Sequence, residues 1–72
     1  MQVYIYLQDT EDALLCFELS QYNRIPTIGE DVMIDDKCYK VVSVSTSYKK
    51  LMHGTYSTVY IEVKNTNCRV NE

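Results

Sequence analysis

The chain has 72 residues, a formal net charge of −3, 46% apolar residues, one proline and two glycines. That length fits one small domain burying only about 60% of the surface its unfolded chain exposes, and the composition suggests neither a linker nor a disordered tail. The longest apolar run, Ala13 to Phe17, is far short of the roughly 20 residues a membrane-spanning helix needs. The opening stretch MQVYIYLQDT shows no basic head and no small-residue cleavage site, so the expected location is cytoplasmic.

In chain order, Val3, Ile5 and Leu7 alternate with Gln2, Tyr4, Tyr6 and Gln8. A period of two in β-branched and aromatic residues predicts a strand. The polar stretch DTED follows as a turn. ALLCFELSQYN carries two signals. Ala, Leu and Glu favour helix, and Thr10 could cap one. As a strand, Leu15, Phe17 and Leu19 share a face, with Leu14, Cys16 and Glu18 opposite. The short connection to the first strand favours a hairpin, so strand is the preferred reading of 13–21.

QYNRIPTIGED is a connecting loop in which Pro26 fixes its own φ and pushes Ile25 towards extended backbone. Gly29 can take positive φ before the chain re-enters a sheet. Val32 and Ile34 then alternate in DVMID, and DDK makes a tight turn. In CYKVVSVSTSY the alternation loses phase: Tyr39 and Val41 share a face, whereas Val42 and Val44 fall on the other. A one-residue slip inverts a strand's faces, so a β-bulge or sharp bend is expected near Val41–Ser43. KKLMHGTYS is a polar loop or the tip of a long hairpin, and TVYIEVK is again a clean strand. Residues 65–72 read as a frayed tail, with room for a short strand at Cys68–Val70. Five strands, one bent in the middle, predict an all-β domain over 1–72, a small five-stranded, mostly antiparallel barrel. An open sheet this small would leave two long edges exposed.

The stretch IGEDVMIDDKCYKVVSV is similar to the G-[DE]-x-V-x-[IL]…Y-x-V-x-x-V pattern of SH3-like small barrels, with Gly29, Glu30, Val32, Ile34, Tyr39, Val41 and Val44 matching. Ile25-Pro26 resembles the lead-in of small bacterial and phage proteins. The resemblance covers about a third of the chain and implies a fold rather than an activity, since such barrels bind peptides, nucleic acid or assembly partners. Two departures stand out: there is no tryptophan for a proline-rich peptide groove, and the chain is acidic.

Seven tyrosines are the most unusual compositional feature. Tyr4, Tyr6 and Tyr60 sit opposite the predicted core face, which makes them candidates for a protein interface. The segment Ser47 to Tyr56 interleaves Tyr48, Lys49, Lys50, His53 and Tyr56. With Lys40, these are candidates for single-stranded nucleic-acid contact, cations on phosphates and rings on bases. The acids Glu30, Asp31, Asp35 and Asp36 bracket a short strand without calcium-loop spacing and read as solvated turn residues. Cys16, Cys38 and Cys68 lack zinc spacing even with His53 added, and are expected as free thiols. No nucleophile elbow, phosphate-cradling loop or metal motif occurs. Residues 1–36 carry −7 and residues 37–72 carry +4, an asymmetry that interleaving strands would blend on folding. The expectation is a non-catalytic binding or assembly module without cofactor or metal. It would contact a protein partner or its own copy and no membrane. The alternative is a nucleic-acid-binding barrel.

Overall fold

The computed structural model describes residues 1–20 and 24–66, and within them there are five strands and no helix. These are β1 (Gln2–Leu7), β2 (Ala13–Glu18), β3 (Asp31–Ile34), β4 (Lys37–Leu51) and β5 (Gly54–Asn65). One sheet runs in the order β2-β1-β5-β4-β3 and curls into a nearly closed barrel. Three of its ladders are antiparallel, while β1 and β5 run parallel. The preferred strand reading of 13–21 is realised as Ala13–Glu18. Gln21, Tyr22 and the expected tail strand at Cys68–Val70 lie outside the described residues.

Alternation decides which side chains go inside. Val3 and Ile5 of β1 face Val59 and Ile61 of β5 in register, and Val63 follows opposite Leu7. With Tyr39 and Val41 of β4 they make a core whose members are at most 6% exposed. Burying a valine or isoleucine this completely contributes about 1.5–3 kcal/mol. Leu14, Phe17, Ile25, Val32, Ile34 and Val44 pack around that core from the curled flanks.

Two bulges set the curl. In β4 the register jumps between Val41 and Ser43, so that Val41 opposes Val63 and Ser43 opposes Glu62. The extra residue, Val42, returns Val44 to the core side, at the place where the sequence loses phase. In β2 the shift falls opposite Ile5 and Tyr6. Leu14 therefore packs on the core despite its expected place with Cys16 and Glu18 on the other face, and Leu15 is left 41% exposed.

The loop 24–30 closes over this core. Gly29 N–H donates to Val41 O and Val41 N–H to Glu30 O, each at 2.9 Å, beside the β4 bulge. Gly29 sits at φ +90°, a backbone conformation that suits glycine. The Arg24 guanidinium forks onto Glu30, with Nη1 at 3.0 Å from Oε1 and Nη2 on Oε2. Thr27 N–H adds a 2.9 Å bond to the same carboxylate. Those hydrogen bonds, Arg24's first, hold the Glu30 carboxyl at about 2, down from 4.5. Glu30 is therefore a clamp, and Asp31 is paired at 2.9 Å with Lys40 directly across the ladder. Only Asp35 and Asp36 keep the expected role of exposed turn acids. Both have positive φ, 52° and 67°, the signature of a tight type I′ hairpin.

Past Thr46 the molecule changes character. β4 and β5 continue as a two-stranded ribbon to Leu51 and Gly54, beyond the reach of β1 and β3. Five residues of strand, Ser47 to Leu51, project about 17 Å at the usual rise. The long dimension of the molecule reaches 51 Å against 28 and 19 Å across.

Candidate functional site

The parallel register of β1 and β5 places Tyr4 directly beside Tyr60, and the strand period puts Tyr6 on the same outer face. The three rings stack on one another: Tyr4–Tyr60 centroids are 5.8 Å apart, and Tyr6 lies 6.2 Å from each of the other two. Interplanar angles of 15–27° make this a shallow stacked platform. None of the three belongs to the core. Tyr60 is 39% exposed, and Tyr4 and Tyr6 are half-buried. The structure thus brings together the three tyrosines that the alternation placed opposite the core.

Around the rings lie groups that sequence reasoning did not connect to them. Cys16 opposes Tyr4 across the β1–β2 ladder, and Gln2 Nε2 donates to its Sγ at 3.1 Å. The Cys16 sulfur, negative when ionised, raises the Tyr4 phenol above its ordinary 10, with desolvation and a hydrogen bond between the two adding to it. On the other side a shallow, solvent-open hollow of about 250 Å³ is lined by Tyr6, Thr10, Ser43, Ser45, Tyr60 and Glu62. There the Ser43 hydroxyl donates to Glu62 Oε1 at 3.1 Å. Only the β4 bulge brings Ser43 opposite Glu62, so no local motif announces this hollow.

The second group of candidates sits on the ribbon. KKLMHGTYS is the end of the hairpin rather than an irregular loop, its strands joined by Met52 and His53 alone. Tyr48, Lys49, Lys50, His53 and Tyr56 are all exposed, Tyr48 by 70% and Tyr56 by 50%. They do not share a face. Lys49 pairs across from Tyr56 on the face that carries Tyr60, whereas Tyr48 and Lys50 point to the opposite side. Lys40 stands ten strand residues back from Lys50, about 33 Å away along β4. It is bound there to Asp31 and, at 3.3 Å, to Gly29 O.

The remaining tyrosines separate by place. Tyr39 is a core residue, 6% exposed, and Tyr22 lies outside the described residues. The expectation of three free thiols needs correction. Cys38 is in a disulfide, Cys16 is an exposed free thiol, and Cys68 lies outside the described residues. Among the described residues no three His, Cys, Asp or Glu side chains gather as metal ligands, and His53 at the hairpin tip is remote from Cys16. No helix among them is long and apolar enough to cross a membrane. No protein-family model matches the chain, and neither does any curated protein or solved structure.

Proposed function

We propose that this chain is a non-catalytic binding and assembly module whose outer face at Tyr4, Tyr6 and Tyr60 contacts a protein partner or a second copy. The observation that carries the reading is the mutual stacking of three tyrosines on a sheet face that the core does not use. Stacked rings lose little side-chain freedom on binding, and each offers a broad apolar surface with a hydroxyl at its rim, the chemistry enriched at protein interfaces. The adjoining hollow adds the hydroxyls of Ser43, Ser45 and Thr10 and the Glu62 carboxylate as polar partners. The similarity of Gly29 to Val44 to SH3-like barrels fits such a role, and an accessory protein of a bacterium or phage is the setting it suggests.

One feature favours a second reading. Lys49 and Tyr56 lie side by side on one face of the ribbon, a cation and a ring at the spacing that single-stranded nucleic acid uses. The acidic net charge weighs against it. Sedimentation over a concentration series in about 0.5 M salt, where charge–charge contacts are screened beyond about 4 Å, isolates the tyrosine face. Association should appear there and be lost in Tyr4→Ser and Tyr60→Ser. Unchanged association in both variants sinks the assignment of this face. A single-stranded oligonucleotide added in low salt, bound by the wild type and released by Lys49→Glu with Lys50→Glu, would instead select the second reading.

A further inference from the structure

Charge on this molecule is segregated along its long axis. The three ion pairs among the described residues, Met1 amino group–Glu18, Arg24–Glu30 and Lys40–Asp31, lie on the body of the barrel. The ribbon carries Lys49, Lys50 and His53 with no acidic residue between Ser43 and Ile61, and none of the ion pairs engages its lysines. The opposite end of the barrel holds the β1–β2 turn and the β3–β4 turn, because β1 runs away from the ribbon and β4 runs towards it. Asp9, Glu11, Asp12, Asp35 and Asp36 are exposed there; among the described residues Lys37 and Lys64 are the exposed cations at that end, and no ion pair among them uses any of the seven. The linear asymmetry of the sequence therefore survives folding, as a basic arm and an acidic pole at opposite ends of a 51 Å body.

The arm also has unspent binding capacity. Along β4 from Ser47 to Leu51 and β5 from Gly54 to Ser57, all but Ser57 exposed, no further strand among the described residues pairs with the outer edges. Leu51, Met52, Tyr48 and Tyr56 are 50–95% exposed on it. A two-stranded ribbon is marginal when alone in water, and covering these exposed side chains would bury apolar surface.

We propose that copies of this chain associate head to tail, the basic β4–β5 arm of one copy seating against the acidic pole of the next. Charge selects that occupant. Arm against arm would set four lysines together, and pole against pole would set ten carboxylates against four lysines, whereas arm against pole joins opposite signs. Such a contact is heterologous, so it propagates into a ring or an open filament instead of stopping at a dimer. The inference deepens the assembly reading but uses a different surface from the tyrosine platform.

A charge swap tests it. Lys49→Glu with Lys50→Glu reverses the arm; Glu11→Lys with Asp12→Lys reverses the pole and leaves the strained Asp9, Asp35 and Asp36 turns untouched. Sedimentation in low salt should show the wild type assembling, with association weakened on the order of tenfold or more in about 0.5 M salt. Each variant alone should lose the salt-sensitive association while keeping a wild-type thermal melt, and an equimolar mixture of the two should regain it. A wild type that stays monomeric across the low-salt series overturns the proposal. So does an arm-reversed variant that keeps the salt-sensitive association, or a mixture of two folded variants that does not regain it. The wild-type salt series requires no variant to fold. Tyr60→Ser should leave the salt-sensitive association in place, so failure of the arm contact and failure of the tyrosine face are told apart.

Discussion

Tyr4 and Tyr60 are adjacent on neighbouring strands, with centroids 5.8 Å apart and planes inclined by 15°. That lies inside the 4.5–7 Å range of offset stacks, where a pair is worth about 0.5–1.5 kcal/mol beyond the area it buries. A chain of 72 residues, at about 0.05–0.15 kcal/mol per residue, has roughly 4–11 kcal/mol of stability in all. The stack is therefore a measurable fraction of the whole without being indispensable. Tyr4→Ser, Tyr60→Ser and the double substitution form a thermodynamic cycle, followed by urea unfolding and circular dichroism. With a slope near 1 kcal/mol per molar urea, a coupling of about 1 kcal/mol moves the midpoint by about 1 M. The double variant should be more stable than the sum of the single losses predicts, because the second substitution removes a ring whose partner has already gone. Additivity to within about 0.3 kcal/mol would mean that the rings touch without stabilising one another, and the platform would lose its claim to be preorganised.

Ile61, fully buried at the centre of β5, should cost about 2–5 kcal/mol on Ile61→Ala, read from the same urea transitions. Glu30 is held at about 2 when folded, against 4.5 as its ordinary value, so its clamp contributes fully above about pH 4.5 and is lost as pH falls towards 2. Glu30→Gln should lower the melting temperature at neutral pH and flatten the acid limb of the stability profile in that window. Replacing Asp35-Asp36 by Asn-Gly, the pair that suits a type I′ turn best, should stabilise by about 1 kcal/mol, seen as a rise in melting temperature. Cys16 should alkylate in the native protein without reductant, and Cys38 only after reduction, as peptide mass spectrometry would show.

What was legible in the sequence was what local periodicity controls. The alternation of β1 and β5 placed Val3, Ile5, Val59, Ile61 and Val63 inside and the tyrosines outside. The lost phase after Val41 marked the β4 bulge within a residue or two. Two illegible features depend on which strands meet. The β2 bulge that turns Leu14 inward answers to the register against β1, not to anything in ALLCFE itself. The parallel pairing of β1 with β5, which turns separate tyrosines into one platform, leaves no local trace. Lys49 and Lys50 looked like one basic patch, but neighbouring residues of a strand face opposite ways. The Arg24–Glu30 clamp was hidden because six residues of loop can fold in many ways.

The pairing of β1 with β5 joins the first of the described strands to the last. A ribosome delivers them in that order, so Val3 and Ile5 have only β2 for company until Thr58 to Val63 emerge. Every earlier length of the nascent chain exposes an apolar strand edge that nothing yet covers, and contacts this distant in sequence close slowly. Truncation anywhere before β5 removes the middle of the sheet rather than its margin, and would turn a small stable domain into a substrate for proteases.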